Sequence, residues 1–232
     1  VPQARPAQGD HTTGLAFAAG ILAALRQAER SGEGQTIETS LFETAVWTQA
    51  SDYATTAVDE APVRRRARHQ MLTPTANRYP CGDGNWVVFN MPGEKDWVRF
   101  CKALGLAHWL EDERYATGKS RYRHMQALTE GVDEALSKKS RDEWGPIFDA
   151  AGLIWGPVLG LHEVPIDPQA KAIGLFPTLH DREAGPYRSV AIPMRFGRCV
   201  VGPEKGAPQL GEHTTSLVQE FGLKPPFFAD ER

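Results

Sequence analysis

The most apolar part of the chain predicts a helix near its start. Residues 15–25 contain no polar side chain, and alanine and glycine supply most of them. A helix that is apolar on all sides and rich in small residues is typical of a buried helix in close contact with its neighbours. We expect an Asp or Thr among residues 10–13 to cap it and the glycines of residues 32–34 to end it.

Two shorter patterns follow this helix. Residues 35–40 read Gln-Thr-Ile-Glu-Thr-Ser, an alternation that predicts a short strand, and residues 41–56 predict a second helix. The character then changes, because residues 59–78 contain two prolines and four of the five residues 64–68 are basic. We interpret this stretch as a linker that contains a domain boundary.

The rest of the chain predicts a mixed set of elements. Residues 77–90 resemble a β-hairpin with its turn at 82–85. Helical periodicity follows at 94–104, 121–138 and 141–151, and Ser140 with Glu143 predicts a capping box for the last of these. The later elements are a short connecting helix at 164–175, strands at 175–180 and 187–192, and a closing helix at 212–221.

This order predicts an α/β protein in which part of a large domain is interrupted by a smaller α+β domain. We place residues 1–60 in the large domain, 61–78 in a linker and 79–165 in the small domain. Residues 166–232 then form a return linker and the C-terminal part of the large domain.

Composition narrows the function classes. With 41% hydrophobic residues, 24% charged residues and a net charge of −3, the chain has no global attraction to nucleic acid or to an anionic membrane. Its longest apolar run, residues 15–25, is shorter than the ~20 residues that cross a bilayer. Residues 1–9 are polar and show no secretory signal. We therefore expect a cytoplasmic protein.

Cysteine and histidine usage predicts no metal site and no disulfide framework. Cys81, Cys101 and Cys199 are odd in number and far apart, which suits a reducing compartment. The seven histidines lie at no ligand spacing with acids or cysteines.

Several motifs follow one another along the chain, beginning with Gly9-Asp10-His11-Thr12-Thr13-Gly14. The others are residues 18–25, 32–35, 81–84, 97–105, 156–158, 167–169 and 207–214. Together they resemble the class III coenzyme A transferases, the family of the formyl-CoA and crotonobetainyl-CoA transferases. Each motif alone is weak, but their occurrence in the family's order along nearly the whole chain is specific. The resemblance covers about the last half of a family member.

The resemblance implies a Rossmann-like large domain and a dimer of interlocked rings. It also implies that Asp10 is the catalytic nucleophile and that coenzyme A is a substrate, with no permanently bound cofactor. Most CoA-contacting residues of the family lie upstream of the matched part, so none is carried over here. The chain departs from the family in one respect, because residues 67–84 contain no glycine cluster like the loop that some transferases place over the reacting centre.

A carboxylate suits the chemistry that the resemblance implies. Its acyl adduct is a mixed anhydride, which is reactive enough to pass the group onward, and an aspartate with the usual pKa of ~3.9 is ionised at neutral pH. A helix N-terminus would favour the anion further, and backbone N–H groups of residues 9–14 are candidate oxyanion donors. From its position alone, Asp10 also fits a simple helix cap.

Three further residues are candidate contacts to substrate or oxyanion: His11, Gly14 and Glu94. His11 adjoins the nucleophile, although a first-turn residue without chemistry fits its position equally. In the related racemases, a glutamate at the place of Glu94 belongs to the site; an ordinary first-turn glutamate is the alternative. The basic residues 64–68 either meet CoA phosphates from a partner subunit or form a solvated charge cluster.

The leading hypothesis is transfer of CoA from an acyl-CoA to a carboxylic acid through Asp10, by a homodimer. One alternative is an α-methylacyl-CoA racemase or epimerase of the same superfamily, in which the Asp is a proton-transfer base. Residues 10–14 lack the glycine-rich run typical after the racemase Asp, which favours the transferase. Another alternative is a non-catalytic half that pairs with a separate N-terminal half. Residue types do not identify the acid or the CoA ester.

Overall fold

The computed structural model describes residues 7–59 and 66–223, which form two compact units divided between Ala67 and Arg68. This division lies within the predicted linker 61–78, of which residues 61–65 fall outside the described residues. The four-part domain division drawn from the sequence stays a prediction.

The first unit consists of three helices: α1 (Gln8–Ser31), α2 (Leu41–Thr48) and α3 (Ala50–Asp59). As expected, a glycine ends α1: Gly32 adopts a φ of 76°, and its N–H donates to the carbonyl of Ala28. The predicted cap at residues 10–13 is wrong. The N–H of His11 donates to the carbonyl of Ala7, so the helical ladder has already begun before these residues.

Two other predictions for the first unit are wrong. Residues 35–40 form no strand, because their backbone groups find no neighbouring strand among the described residues. The predicted helix 41–56 is broken at Gln49, where the backbone leaves helical geometry (φ −105°, ψ 14°). Ser40 does cap α2, since its Oγ accepts the N–H of Glu43 at 3.1 Å.

Helix α1 is apolar as predicted, but the described residues do not bury it. Ala24 is its only buried residue, whereas Leu15, Leu22 and Leu25 are each more than half exposed. The expected burial of α1 is therefore wrong for the residues that the structure describes.

The second unit contains an antiparallel three-stranded sheet of β1 (Arg78–Pro80), β2 (Trp86–Phe89) and β3 (Trp155–Val158), in that order. The first two strands form the predicted hairpin, in which Arg78 faces Val88. The sequence did not predict β3, whose glycine and proline are unfavourable in a strand interior. Its edge position explains why the proline is tolerated.

Four helices pack with this sheet: α4 (Glu94–Ala103), α5 (Gly118–Arg123), α6 (Met125–Leu136) and α7 (Arg141–Ala150). The predicted helix 121–138 is wrong as a single element, because His124 leaves helical geometry and separates α5 from α6. The predicted capping box is confirmed: Ser140 and Glu143 bond each other's backbone N–H groups. Short 3₁₀ turns complete the unit at Arg68–Gln70, Ala107–Leu110, Glu113–Tyr115 and Val164–Ile166.

An aromatic cluster holds the sheet and helices together. Phe89 of β2 makes edge-on contacts with Phe100 and Phe148, with ring centroids 5.2 and 5.1 Å apart. The three rings are at most 1% exposed. Such aromatic pairs contribute to stability beyond the effect of their buried area. The cluster therefore stabilises the fold of the second unit.

The last described part of the chain is more open. It contains α8 (Pro168–Ala172), the hairpin β4 (Thr178–Asp181) with β5 (Gly185–Arg188), and α9 (Thr214–Glu220). Asp167 caps α8 by accepting the N–H of Ala170 at 2.9 Å. None of the helices among residues 7–59 and 66–223 is long and apolar enough to span a membrane.

Candidate active site

Asp10 is the third residue of α1, in its first turn, and its side chain is exposed. The described residues offer it no hydrogen bond and no ion pair. The contrast with Glu43 and Glu143 is informative, because each of these first-turn carboxylates is bonded to the serine that caps its helix. The carboxylate of Asp10 therefore has no partner among the described residues of its own unit.

Backbone N–H donors lie in the same turn as this carboxylate. The N–H groups of Gln8, Gly9 and Asp10 precede the first intrahelical bond and find no acceptor among the described residues. Helix N-termini carry partial positive charge, which favours anions there. The first turn of α1 thus combines an exposed carboxylate with N–H groups that have no acceptor among the described residues, an arrangement suited to a developing oxyanion.

His11 and Gly14 lie on the same helix. His11 is exposed in the turn that carries Asp10. Gly14 sits nearly two turns into the helix, where its N–H belongs to the helical ladder. A contact at Gly14 would therefore come from close approach to its bare Cα, and beyond the adjacent helix backbone no described atom lies within 4 Å of a Cβ built there. Their roles stay predictions.

Glu94 is the first residue of α4 and is engaged by a buried arginine. Both of its carboxylate oxygens lie 2.5 Å from Nη2 of Arg121. The side chain of Arg121 is 5% exposed, and its other nitrogen Nη1 donates to the carbonyl of Tyr115. The guanidinium carbon also lies 4.9 Å from the ring centre of Trp97. Arg121 therefore holds the carboxylate of Glu94, although 69% of the glutamate side chain remains exposed.

The sequence did not single out Arg121. It lies 27 residues from Glu94 and falls at the start of a predicted amphipathic helix, so neither spacing nor composition marks the pair. Asp10 and Glu94 belong to different units, and each is described within its own.

A cavity of 680 Å³ opens within the first unit, close in sequence to Asp10. Thr12, Leu15 and Ala16 of α1 form one side, and Thr44 and Trp47 of α2 form another. The lining is mainly apolar, and Trp47 is 77% exposed. This surface is suited to contact another apolar surface.

Comparison with known proteins identifies the family to which this chain belongs. The family described as CoA-transferase family III matches residues 2–214. The chain belongs to this family. The resemblance drawn from residues 9–14 and the ordered segments downstream is thereby confirmed.

Curated relatives of this family III chain are named as CoA transferases. The (R)-2-hydroxy-4-methylpentanoate CoA-transferase of Clostridioides difficile is 31% identical over 217 residues, which cover 92% of this chain and 53% of that one. The succinate–glutarate CoA-transferase of Agrobacterium fabrum is 27% identical, over 93% and 54%. The chain therefore spans about half the length of the curated relatives that it matches.

Solved structures support the same fold. A CaiB/BaiF family protein from Brucella suis matches with a TM-score of 0.79 at 24% identity, over 94% of this chain and 57% of that chain. A Mycobacterium tuberculosis protein matches with a TM-score of 0.74 at 25% identity, over 93% and 57%. The mixed helix-and-sheet architecture is thus that of CaiB/BaiF family proteins.

Arg68 is a structural residue of this family III chain. The sequence placed it in a basic cluster, of which Arg64 and Arg65 lie outside the described residues. Its guanidinium binds both carboxylate oxygens of Asp133, at 2.6 and 2.8 Å, and lies over the rings of Tyr79 and Trp86. A solvated charge does not describe this arginine, because its hydrogen-bonding fork is held by Asp133.

The buried thiols of Cys81 and Cys101 are poor candidates for a nucleophile. Burial raises the pKa of Cys81 to about 11 and that of Cys101 to about 12, so both stay protonated near neutral pH. Within the part of the chain that the structure describes, no group of histidine, cysteine, aspartate and glutamate could hold a metal ion.

Proposed function

We propose that this protein transfers coenzyme A from an acyl-CoA donor to a carboxylic acid acceptor, with Asp10 as the nucleophile. One observation carries the proposal: in a chain of CoA-transferase family III, the first turn of α1 presents an exposed carboxylate with no partner among the described residues. Such a group is ready to attack, because it need not first break an ion pair or a hydrogen bond.

The reaction consists of balanced acyl exchanges at carbonyl carbon. Asp10 attacks the donor thioester, which releases CoA thiolate and forms a mixed anhydride between the donor acyl group and the Asp10 carboxyl. The thiolate then attacks the aspartyl carbonyl, releases the donor acid and leaves an aspartyl-CoA thioester. The acceptor carboxylate attacks that thioester, and the thiolate finally takes the acceptor acyl group and frees Asp10.

The chain's own groups have defined tasks in this scheme. The N–H groups of residues 8–10 stabilise the oxyanion that forms at each addition. In this proposal His11 and Gly14 are substrate contacts of the first unit, and Glu94, held by Arg121, is a substrate contact of the second. The reaction needs no permanently bound cofactor, because CoA arrives and leaves as substrate. We place the complete protein in the cytoplasm as a homodimer with a Rossmann-like large domain.

The test compares two first-turn aspartates of the first unit. Asp52, in the first turn of α3, is also exposed, and its carboxylate has no partner among the described residues. We expect Asp10→Asn to lower the rate of CoA transfer by about 10³-fold or more, since a covalent step is lost. The matched variant Asp52→Asn should retain the full rate.

Chromatography of the CoA esters formed from an acyl-CoA and a panel of acids measures that rate. Equal rates for Asp10→Asn and the unaltered protein would refute the proposed role of Asp10. Exchange of the α-proton with solvent deuterium, in the absence of any acceptor acid, would instead indicate the racemase reaction.

A further inference from the structure

Arg121 and Glu94 form an ion pair whose two partners are buried to very different degrees. The side chain of Arg121 is 5% exposed, whereas that of Glu94 is 69% exposed. The pair of Arg141 with Glu163 in the same unit differs, because its side chains are 10 and 22% exposed. There both charges are withdrawn from solvent together, as expected of a contact that serves the fold. The pair of Arg121 instead keeps its carboxylate at the surface.

The guanidinium of Arg121 is fixed by contacts other than Glu94. Its Nη1 donates to the carbonyl of Tyr115 at 2.9 Å. Its central carbon lies 4.9 Å from the ring centre of Trp97, which in turn stacks on Trp109 with ring centres 5.9 Å apart. A buried arginine held by a carbonyl and an aromatic face has little freedom to follow a moving partner. Its remaining nitrogen Nη2 therefore offers donors at one place.

That nitrogen gives the carboxylate of Glu94 a defined position. Both carboxylate oxygens lie 2.5 Å from Nη2 of Arg121. Gly118 leaves room for them, since a Cβ built there would come within 3.2 Å of Oε1 of Glu94. A long glutamate side chain that is mostly exposed normally samples several rotamers, and a charge-assisted hydrogen bond restricts it. The surface oxygens of Glu94 are thus preorganised acceptors.

Stability alone is a weak explanation for this arrangement. An ion pair with one exposed partner is screened by solvent and contributes little, while the buried guanidinium has lost much of its hydration. Fixing an exposed carboxylate lowers the entropy cost of a contact that this carboxylate makes to something else. The geometry therefore favours a ligand at Glu94.

The chemistry of a carboxylate limits what that ligand is. When ionised, it only accepts hydrogen bonds, and it repels the carboxylate of an acceptor acid and the phosphates of CoA. The pantetheine arm of a CoA ester is uncharged and carries amide N–H groups and a hydroxyl group. Of the substrate groups in the proposed reaction, this arm is the one that matches a fixed acceptor.

We propose that Glu94 accepts a hydrogen bond from the pantetheine arm of the CoA substrate and that Arg121 is the positioning residue that holds Glu94 for this contact. This inference rests on the proposed function, because it takes a CoA ester as the substrate. It assigns Arg121 an effect on CoA binding that acts only through Glu94.

Calorimetric titration of the complete protein with free coenzyme A tests the proposal. Glu94→Gln preserves the size of the side chain and removes its charge, and Arg121→Lys preserves the charge and removes the planar fork. We expect each variant to raise the Kd for coenzyme A about 10-fold, since a hydrogen bond to a charged acceptor is lost or misplaced. Combining the two changes should raise the Kd no further, because both act on one contact.

The matched control is Arg141→Lys, which alters a buried arginine of the same unit whose partner Glu163 is also buried. It should leave the Kd for coenzyme A within about twofold of the unaltered value. Steady-state kinetics add a second measurement. Glu94→Gln should raise KM for the acyl-CoA about 10-fold and leave kcat and KM for the acceptor acid nearly unchanged.

An unchanged Kd for coenzyme A in Glu94→Gln would overturn the proposal, even if Arg121→Lys does not fold. An equal loss of affinity in Arg141→Lys would also overturn it, and so would a further loss when Arg121→Lys is added to Glu94→Gln. Titration with free coenzyme A requires no turnover, so it separates this inference from the proposed reaction. If Asp10→Asn keeps its CoA-transfer rate while Glu94→Gln loses affinity, the proposed reaction fails and the pantetheine contact stands.

Discussion

The two units differ in how far they bury their large aromatic side chains. In the second unit, Phe89 and Phe148 are 1 and 0% exposed and contact each other edge-on. In the first unit, Phe42 and Trp47 are more than three-quarters exposed, although each follows an apolar residue in α2. Burying an aromatic side chain contributes about 2–3 kcal/mol, which the second unit gains within itself and the first does not. The difference shows that the apolar content of a segment predicts that its side chains need to be buried. It does not predict which part of the protein buries them.

The largest test of this contrast compares one phenylalanine from each unit. Phe89→Ala should lower the free energy of unfolding of the second unit by about 3–5 kcal/mol, because it leaves a cavity among three rings. Phe42→Ala should change the stability of the chain by itself by no more than about 0.5 kcal/mol. Hydrogen exchange against urea, measured peptide by peptide, gives a value for each unit. Equal losses for the two variants would break the contrast.

A pair of glycines sharpens the comparison. A Cβ on Gly82 would collide with the carbonyl oxygen of Ser137, so Gly82→Ala should destabilise the second unit by about 1–3 kcal/mol. Gly14→Ala meets open space inside a helix and should stabilise the first unit by up to about 1 kcal/mol. The same urea-dependent exchange measures both. A destabilising Gly14→Ala would mean that the first unit is already covered there.

The ion pair of Arg68 extends the test to polar contacts. Arg68→Ala should lower stability by about 1–2 kcal/mol, because a partly buried bidentate bond to Asp133 and two ring contacts are lost. Arg114 also binds its partner Asp112 but is 64% exposed, so solvent screens this pair and Arg114→Ala should leave the stability nearly unchanged. If urea unfolding shows that Arg68→Ala lowers the stability no more than Arg114→Ala does, the contacts of Arg68 do not stabilise the second unit.

The smallest predicted effect is a change in how the stability depends on pH. The hydrogen bond from Arg141 lowers the pKa of Glu163 below its usual value. Because the folded pKa lies below the unfolded one, this stabilisation is complete above about pH 4.3 and disappears as the pH falls through the folded value. Glu163→Gln should therefore reduce the loss of the urea midpoint between pH 6 and pH 3, whereas Glu134→Gln serves as the control for a surface carboxylate. An unchanged pH dependence in Glu163→Gln would refute the contribution.

The sequence predicted local features well and long-range features poorly. The glycine stop at Gly32, the hairpin with its turn at residues 82–85 and the capping box of α7 depend on neighbouring residues, and all are confirmed. Strand β3 was missed because it joins β2 from almost 70 residues away, through a Gly-Pro sequence that disfavours strands. The breaks at Gln49 and His124 occur without a glycine or proline to signal them.

The candidate site shows the same contrast between local features, which the sequence predicts, and long-range contacts, which it does not. Asp10 was found because it lies in a motif of adjacent residues that the family resemblance carries. The pairing of Arg121 with Glu94 and of Arg68 with Asp133 depends on tertiary contacts across 27 and 65 residues, which no spacing rule reveals. The strand predicted at residues 35–40 failed for a physical reason, since a strand forms only beside a partner.

The central claim is that Asp10 becomes covalently acylated, and peptide mass spectrometry after incubation with a panel of acyl-CoAs tests it most directly. Hydroxylamine, added to a parallel sample, traps an anhydride or a thioester as a hydroxamate. We predict an acyl or CoA adduct on the peptide that contains Asp10, and its conversion to the hydroxamate in the trapped sample. CoA transfer by protein whose Asp10 peptide never carries either modification would contradict the account.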